Sequence, residues 1–312
     1  MNPTADTTVL FGAAVGYRPP QMRVLLQSLR RVGFEGKIVL LVGDLPAAEM
    51  DALRALGATP IAVTAFPGSY SRRVQLKLQS PRARPLRGHV INLARWLPLT
   101  QRVRTRLLAR IGVHYHHIGI ARYLYAWDWL DQNPTVQRLI LCDVRDVVAQ
   151  SDPAKFPLVS GLHVFLEDAR GNLLDGEYGV NSEYEHCAAD GTFQRGINAA
   201  WLRHLYGEKF VVRLGRKPIS CAGITIGDRP SMLHYLAAMT GELCRLTQPI
   251  AEGMGYDQAV HNVLLHTGRL GSKVHLHPNG SAPVFTVHGV PDTELAVDGD
   301  GRLLDHPQHG RQ

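Results

Sequence analysis

Acidic side chains are absent from one long stretch of this 312-residue chain, since no aspartate or glutamate lies between Ala52 and Trp127. The whole chain has a formal net charge of +7, and this stretch is rich in arginine. Its basic residues between positions 72 and 110 are Arg72, Arg73, Lys77, Arg82, Arg84, Arg87, Arg95, Arg102, Arg104, Arg106 and Arg110. Such a surface favours an anionic partner, which could be nucleic acid, an anionic membrane or a phosphorylated substrate.

Cysteines are few and far apart, and no two of them form a CxxC pair. The four are Cys142, Cys187, Cys221 and Cys244. This spacing argues against a zinc motif and a disulfide framework, so a reducing compartment is expected. No hydrophobic run approaches the length of a membrane-spanning helix, and the N-terminal apolar stretch lacks the basic region that precedes a signal-peptide core. We therefore expect a cytoplasmic protein.

Strand-like and helix-like segments alternate in the first part of the chain. Residues 8–14, 37–42 and 59–63 are apolar runs of strand length, and residues 22–32 and 46–56 between them have helical spacing. This order predicts an α/β fold with a mixed, mainly parallel sheet flanked by helices, as in Rossmann-like proteins. Neither GxGxxG nor a Walker P-loop is present, so the usual dinucleotide and P-loop motifs are excluded.

Two aspartates follow a buried strand in the middle of the chain. The apolar run 139–142 stops at Asp143, and Asp146 comes three residues later, with Arg145 between them. Ligands of open α/β sheets bind outside the carboxyl ends of the strands. Two close carboxylates repel each other unless a cation lies between them, and Mg²⁺ or Mn²⁺ with a phosphate suits such oxygens. The alternative interpretation is an Asp-rich turn that caps the next segment.

Residues 67–112 interrupt the alternation and are predicted to form a basic helical excursion. Prolines divide this segment, and its leucine, valine, isoleucine and tryptophan side chains alternate with arginines. A basic amphipathic segment of this kind is typical of a helix lying on a membrane surface, although a solvated helical excursion is the alternative. If the segment lies on a membrane, the protein would bind peripherally to the inner membrane face. No helix-turn-helix, zinc-finger or RNP pattern occurs, so no nucleic acid is expected.

Arg122 lies on a strongly apolar predicted helix, 118–130, just before the strand that carries the aspartates. Its side chain could reach the site at the strand end or extend harmlessly to the surface. The strand predicted at 220–227 begins with small residues, including Ala222 and Gly223. Small residues let a ligand approach the backbone closely, but they also suit a tightly packed strand.

Two polar pairs stand at the head of a helix predicted to begin near Gly255. Asp257 and His261 are one turn apart, as are Gln258 and Asn262, and Asp257 could instead be an N-cap. A last strand is predicted at 284–288. It ends in His288, which is a candidate third metal ligand or a structural histidine.

Together these features resemble a metal-dependent glycosyltransferase of the GT-A fold, most closely the retaining glycogenin-like and galactosyltransferase-like members. The resemblance covers most of the chain and rests on a DxD-type motif after a strand, a small-residue strand, a D-Q helix head and a late histidine. Here these are Asp143 to Asp146, Cys221-Ala222-Gly223, Asp257-Gln258 and His288. The acidic motif departs from the family as DxxD, and Cys221 stands where those members commonly have asparagine.

The resemblance implies a hexosyltransferase-like enzyme that uses a nucleoside diphosphate sugar, an acceptor hydroxyl on a carbohydrate or lipid-linked molecule, and Mn²⁺ or Mg²⁺. The implied metal ligands are Asp143, Asp146 and His288. The implied donor contacts are Gly12, Ala13, Tyr17, Arg122, Asp143, Arg145, Cys221, Ala222 and Gly223. The implied catalytic residues are Asp257 and Gln258. Asp257 would be the general base of an inverting enzyme, or would stabilise the oxocarbenium-like transition state of a retaining one.

Two other functions are compatible with the same residues. A nucleotidyltransferase of related fold would also use paired aspartates and Mg²⁺, and a non-catalytic protein could bind an anionic ligand or a membrane surface through the basic stretch. The predicted organisation is one GT-A-like catalytic domain over residues 1–290, with the basic helical insertion at about 67–112. Residues 291–312 are predicted to form a polar C-terminal tail.

Overall fold

A computed structural model describes residues 8–66, 84–176, 193–246 and 255–287, together with residues 77, 80, 82, 185–187, 295, 299 and 303. The chain divides into two compact units. Unit 1 comprises Met1–Leu162 and Gly223–Asp257, and unit 2 comprises His163–Ala222 and Gln258–Gln312.

Nine strands occur among the described residues. They are β1 (Thr8–Ala13), β2 (Lys37–Val42), β3 (Ala58–Ala62), β4 (Arg138–Cys142), β5 (Leu162–Leu166), β6 (Glu185–Cys187), β7 (Phe193–Arg195), β8 (Ser220–Asp228) and β9 (Val274–His277). Seven of them form one sheet in the order β3-β2-β1-β4-β8-β5-β9, and β6 pairs antiparallel with β7.

Nine α-helices occur in the same described ranges. They are α1 (Pro19–Arg31), α2 (Ala47–Ala55), α3 (Arg84–Trp96), α4 (Gln101–Gly112), α5 (Ile118–Gln132), α6 (Ile197–Tyr206), α7 (Glu208–Leu214), α8 (Arg229–Arg245) and α9 (Tyr256–His266). A short 3₁₀ helix spans Val63–Ala65.

The predicted α/β class and its mixed, mostly parallel sheet flanked by helices are confirmed. In unit 1, β1 pairs in parallel with β2 and β4, and β2 pairs in parallel with β3. Strand β8 runs antiparallel to β4. The residues of β2 from Ile38 to Val42 are all buried, because helices cover both faces of a parallel sheet and leave no solvent side.

Helices α3, α4, α5 and α8 pack together within unit 1. Helix α5 contacts both α4 and α8, and twelve of its fifteen residues are buried. This burial accounts for its composition, because a helix covered on most sides is apolar around most of its circumference. Arg122 is one of the few charged side chains on it.

The acid-free basic stretch finds acidic partners in the fold, because α5 brings two aspartates against α4. Asp131 accepts hydrogen bonds from Arg102 at 2.6 Å and from Arg106, and Asp128 accepts one from Arg110 at 3.2 Å. Burial acts to raise the pKa of Asp131, but the bonds from the two arginines outweigh it, so the pKa is lowered. Three arginines of α4 are therefore paired with two aspartates, which offset part of their positive charge.

Three histidines lie side by side in unit 2. His163 of β5 is buried, and its Nδ1 lies 2.8 Å from Nε2 of His277 on β9. The ring of His163 also stacks on His275, with 4.7 Å between centroids. Burial lowers the pKa of His277, and the charges that His163 and His275 would carry lower it further.

The predicted last strand is wrong over its described residues, because Val284–Val287 have no regular secondary structure. The side chain of Asn279 explains the difference. It donates to the carbonyl of Thr286 and accepts from its N–H, both at 2.8 Å, and so takes the place of a neighbouring strand. The late strand is instead β9, in a short histidine-containing segment that the hydrophobic pattern did not single out.

Within the described ranges, no helix combines the length and apolar character needed to cross a membrane.

Candidate functional site

The carboxyl end of β4 carries the acidic motif. Strand β4 ends at Cys142, and Asp143 follows it directly. Gly12 of β1 lies opposite Cys142 in the parallel ladder, so Gly12 and Ala13 stand at the same edge of the sheet as Asp143. This is the edge at which parallel α/β sheets bind their ligands.

Gly12 makes room for the loop that carries the aspartates. A Cβ at this position would collide with Cγ1 of Val144 and would lie 3.3 Å from the carbonyl oxygen of Cys142. Val144 is itself buried, between Asp143 and the exposed Arg145. The glycine therefore has a packing role, which does not depend on close approach by a ligand.

Arg122 of α5 is the centre of the site. Its Nη1 donates to Oδ1 of Asp143, and its Nη2 donates to Oδ2 of Asp257 at 2.8 Å. Nη2 also lies 3.0 Å from the hydroxyl of Tyr123, which in turn donates to Oδ2 of Asp257 at 3.2 Å. These four residues, called the arginine cluster below, join α5, the end of β4 and the start of α9.

The guanidinium of Arg122 is a buried charge. Its side chain is only 8% exposed. Burial is the largest influence and acts to lower the pKa of Arg122, but interactions with neighbouring groups, including Tyr123 and Asp257, outweigh it and the pKa is raised. A buried charge of this kind needs partners that match it in charge and hydrogen bonding. The two aspartates supply both.

Both tyrosines around this arginine keep their protons at neutral pH. Burial raises the pKa of Tyr123 well above its usual value, although Arg122 acts in the opposite direction. Burial also raises the pKa of Tyr235, whose ring lies edge-on to Tyr123 with 6.2 Å between centroids. The Tyr123 hydroxyl is therefore a stable donor to Asp257.

The two carboxylates of the arginine cluster differ in their access to solvent. The side chain of Asp143 is 41% exposed, whereas that of Asp257 is 11% exposed. Asp257 also lies in the first turn of α9, where the helix dipole favours a negative charge. One arginine faces two aspartates, so the cluster carries a net negative charge and presents it to solvent through Asp143.

A divalent metal ion fits this edge only with help from a substrate. Asp146 is exposed in the loop after Asp143, and hard carboxylate oxygens suit Mg²⁺ or Mn²⁺. Among the described residues, no group of three or more histidine, cysteine, aspartate or glutamate side chains could hold a metal. His288 lies outside the described residues. The carboxylates suit an ion whose remaining ligands come from a phosphate group.

The loop after β4 is also tied to β8. The backbone N–H of Asp143 donates to the carbonyl of Gly223 at 2.7 Å, next to the pairing of Cys142 with Ile224. Gly223 therefore contacts the acidic motif through its backbone. This contact fixes the direction in which the chain leaves β4.

Gln258 belongs to a separate set of polar contacts, in unit 2. Its Oε1 accepts from the N–H of Ala222 at 3.3 Å, and its Nε2 donates to Glu167 at 3.2 Å and to Asn198 at 3.3 Å. Its amide thus joins the beginning of β8 to the end of β5 and to α6. We call Gln258, Glu167, Asn198 and Ala222 the amide cluster.

Asn262, one turn after Gln258, holds the first residue of β8. Its Oδ1 accepts from the N–H of Ser220, and its Nδ2 donates to the Ser220 carbonyl, both at 2.9 Å. His261 Nε2 lies 2.9 Å from the hydroxyl of the same serine. The predicted one-turn spacing of Gln258 and Asn262 is confirmed, because both lie on α9, and Asn262 Nδ2 also donates to the Gln258 carbonyl at 2.9 Å.

Two of the remaining predicted donor contacts are half-buried. Cys221 follows Ser220 in β8 and carries a free thiol. Tyr17 lies in the turn after β1, where its N–H donates to Ala14 and Gly16 adopts a φ of 92°. That turn leaves β1 at the edge of the sheet that carries Asp143.

The sequence did not identify Tyr123 or Asn198 as site residues, and it indicated no role for Glu167. The signal for Tyr123 was its position beside a lone arginine in an apolar helix. Glu167 was visible as a carboxylate at the end of a buried strand. No local pattern marks Asn198, whose contact with Gln258 spans 60 residues.

Comparisons with protein-family models and with curated proteins give no match for this chain. Its function is therefore inferred from the chemistry of the site.

Proposed function

We propose that this protein is a glycosyltransferase of the GT-A type. It would move a sugar from a nucleoside diphosphate sugar to an acceptor hydroxyl with Mn²⁺ or Mg²⁺. The observation that carries the proposal is the half-exposed carboxylate of Asp143, held by the buried Arg122 at the carboxyl edge of a parallel sheet. Gly12 and Ala13 of the neighbouring strand offer backbone at the same edge for the nucleoside.

Arg122 acts here by positioning the carboxylates. Its terminal nitrogens bond to Asp143, Asp257 and Tyr123, and its side chain is nearly inaccessible. The resemblance implies a direct donor contact for Arg122, but these hydrogen bonds favour a role in orienting Asp143 toward the ligand edge. A side chain held in this way loses less conformational freedom when it binds a ligand.

Asp143 and Asp146 are the residues that would hold the metal ion, and the diphosphate would complete its shell. When bound, such an ion neutralises the charge that develops on the leaving diphosphate. His288 remains a predicted third ligand. Because the described protein ligands are few, we expect the ion to bind tightly only together with the nucleotide.

Asp257 would contribute negative charge to the stabilisation of the transition state. Its Oδ2 already accepts hydrogen bonds from Arg122 at 2.8 Å and from Tyr123 at 3.2 Å. This arrangement suits electrostatic stabilisation of an oxocarbenium-like transition state better than proton abstraction. Gln258 accepts from the N–H of Ala222 within unit 2, and this contact favours a role in holding the start of β8.

A panel of nucleotide sugars incubated with the protein and Mn²⁺ tests this proposal. We expect one of them to raise the melting temperature only when metal is present, and to be hydrolysed slowly to a nucleoside diphosphate. Asp146→Asn should abolish both effects, whereas Asp51→Asn, a change at an exposed aspartate of α2, should abolish neither. Release of pyrophosphate would instead indicate a nucleotidyltransferase, and no metal-dependent stabilisation by any nucleotide would refute the proposal.

A further inference from the structure

Helix α3 exposes an apolar stripe on one side, which the exposed His89 interrupts. Leu86, Leu93 and Trp96 are 58%, 67% and 85% exposed. Their spacing of seven and then three residues places them on one side of an α-helix, and Leu97 extends the stripe just beyond the helix end. Single exposed leucines are ordinary, but a tryptophan and two leucines on one helix face form a patch that marks an interaction site.

The opposite side of α3 is covered. Ile91 and Ala94 are buried, and α3 packs against α4 and α8 within unit 1. The helix therefore already buries one apolar face in the protein. The exposed stripe is a second apolar face, which the packing of this helix layer does not use.

Positive charge lies near the C-terminal end of the stripe. Helices α3 and α4 contain seven arginines and no acidic residue. In the described part of the chain, Arg95 and Arg104 pair with no carboxylate. The guanidinium of Arg104 instead donates to the carbonyl oxygens of Leu97 and Leu99, which places it close to Leu97 at the end of the stripe.

We propose that α3 is an in-plane anchor that binds the surface of an anionic lipid bilayer. Leu86, Leu93 and Trp96 would enter the boundary between headgroups and acyl chains, while Arg95 and Arg104 would contact lipid phosphates. A tryptophan prefers this interface because its ring has both an apolar body and a polar N–H. The 13-residue helix is about 20 Å long, so it lies on a bilayer whose hydrocarbon core is about 30 Å thick.

Charge favours a bilayer over a second copy of the chain as the occupant. In a symmetric dimer formed through this stripe, the same arginines would face one another, and like charges in contact oppose association. An anionic membrane attracts these arginines and takes up the apolar side chains at the same time. The membrane anchor does not require that the protein transfers a sugar. The anchor and the glycosyltransferase activity can therefore be refuted independently.

Vesicle co-sedimentation tests the anchor directly. The purified protein would be mixed with vesicles of phosphatidylcholine alone or of phosphatidylcholine with phosphatidylglycerol, across a salt series. We expect binding to the anionic vesicles that weakens with salt. Because Trp96 is 85% exposed in the free protein, its fluorescence should shift to shorter wavelength on binding.

Matched variants separate the apolar stripe from charge alone. Trp96→Ser should weaken binding by about tenfold or more, since burial of a large apolar side chain contributes over 1.4 kcal/mol. Val212→Ser, at a residue of α7 that is 64% exposed, should leave binding unchanged. Arg95→Gln should reduce both affinity and the salt dependence, whereas Arg213→Gln on α7 should not. Unchanged circular dichroism would show that each variant folds.

Three results would overturn the anchor. The first is no binding to anionic vesicles at low salt. The second is binding that Trp96→Ser leaves intact, since charge alone would then account for it. The third is a concentration-dependent dimer that Trp96→Ser dissociates, because the stripe would then be an interface between copies of the chain.

Discussion

Replacing Arg122 by methionine should destabilise unit 1 strongly, although methionine fills much of the same space. The change leaves Asp257, whose side chain is 11% exposed, without the cation that compensates it. Removing one partner of a buried ion pair typically costs about 3–5 kcal/mol, because the remaining charge stays desolvated. We therefore expect Arg122→Met to lower the free energy of unfolding by about that amount, measured by urea titration with circular dichroism.

The two aspartates should respond differently to the loss of their own charge. Asp257→Asn removes a charged acceptor from the buried end of the arginine cluster, which should cost about 1.5–3 kcal/mol. Asp143→Asn acts at a side chain that is 41% exposed, where water screens the interaction with Arg122. Its cost should therefore stay below about 1 kcal/mol.

The double variant Arg122→Met/Asp257→Asn completes the test. This double variant leaves no lone buried charge between the two positions. Its loss in free energy of unfolding should therefore be smaller than the sum of the two single losses, by about 1–3 kcal/mol. Additive costs, or a loss at Asp143→Asn equal to that at Asp257→Asn, would refute this account of the arginine cluster.

Three further predictions concern the sheet edge and unit 2. Asp143→Asn and Asp146→Asn should each abolish Mn²⁺-dependent nucleotide binding in calorimetry, because both remove an anionic ligand. Gly12→Ala should cost about 1–3 kcal/mol in urea unfolding by overpacking, and Val144→Ala in the same chain should restore most of it. The lowered pKa of His277 means that the unfolded chain binds its proton more readily, so stability should fall as the pH drops below about 6.5. In His277→Gln, the pH dependence of unfolding should be weaker by at most about 1.4 kcal/mol per pH unit.

Controls for these predictions come from similar residues elsewhere. Asp51→Asn should keep nucleotide binding. If Asp143→Asn and Asp146→Asn both bound nucleotide as the parent does, the acidic motif would not belong to the binding site. Gly241→Ala in α8 meets no atom within 4 Å and should not destabilise, whereas a harmless Gly12→Ala would disprove the packing role. An unchanged pH dependence in His277→Gln would exclude burial at His277 as the cause.

The sheet of unit 1 was predictable because its signal is local. Strands such as β2 are buried on both faces and read as unbroken apolar runs, with helices of ordinary period between them. Strand β2 itself was predicted at its observed bounds, Lys37–Val42. Gly33, with a φ of 78°, follows the end of α1, where a glycine readily adopts the left-handed backbone that ends a helix.

Predictions failed where a side chain replaced backbone pairing. The run around Val284 has the apolar, β-branched composition of a strand, and hydrophobic pattern alone favours one. In the fold, Asn279 satisfies both backbone groups of Thr286 from seven residues away. A pattern of hydrophobicity cannot show which residue satisfies the N–H and C=O groups of a segment.

The positions of the site residues could be predicted from the sequence, but their partners could not. The DxxD spacing and the sheet pattern placed Asp143 at a ligand edge, and the apolar helix marked Arg122 as unusual. The contact between Arg122 and Asp257 joins residues 135 positions apart, so no local spacing contains it. This contact also changes the role of Arg122, because an arginine implied as a donor contact is bonded to two carboxylates. The net negative charge of the arginine cluster follows from that pairing, and it gives a cation, rather than a lone phosphate, the stronger electrostatic attraction to Asp143.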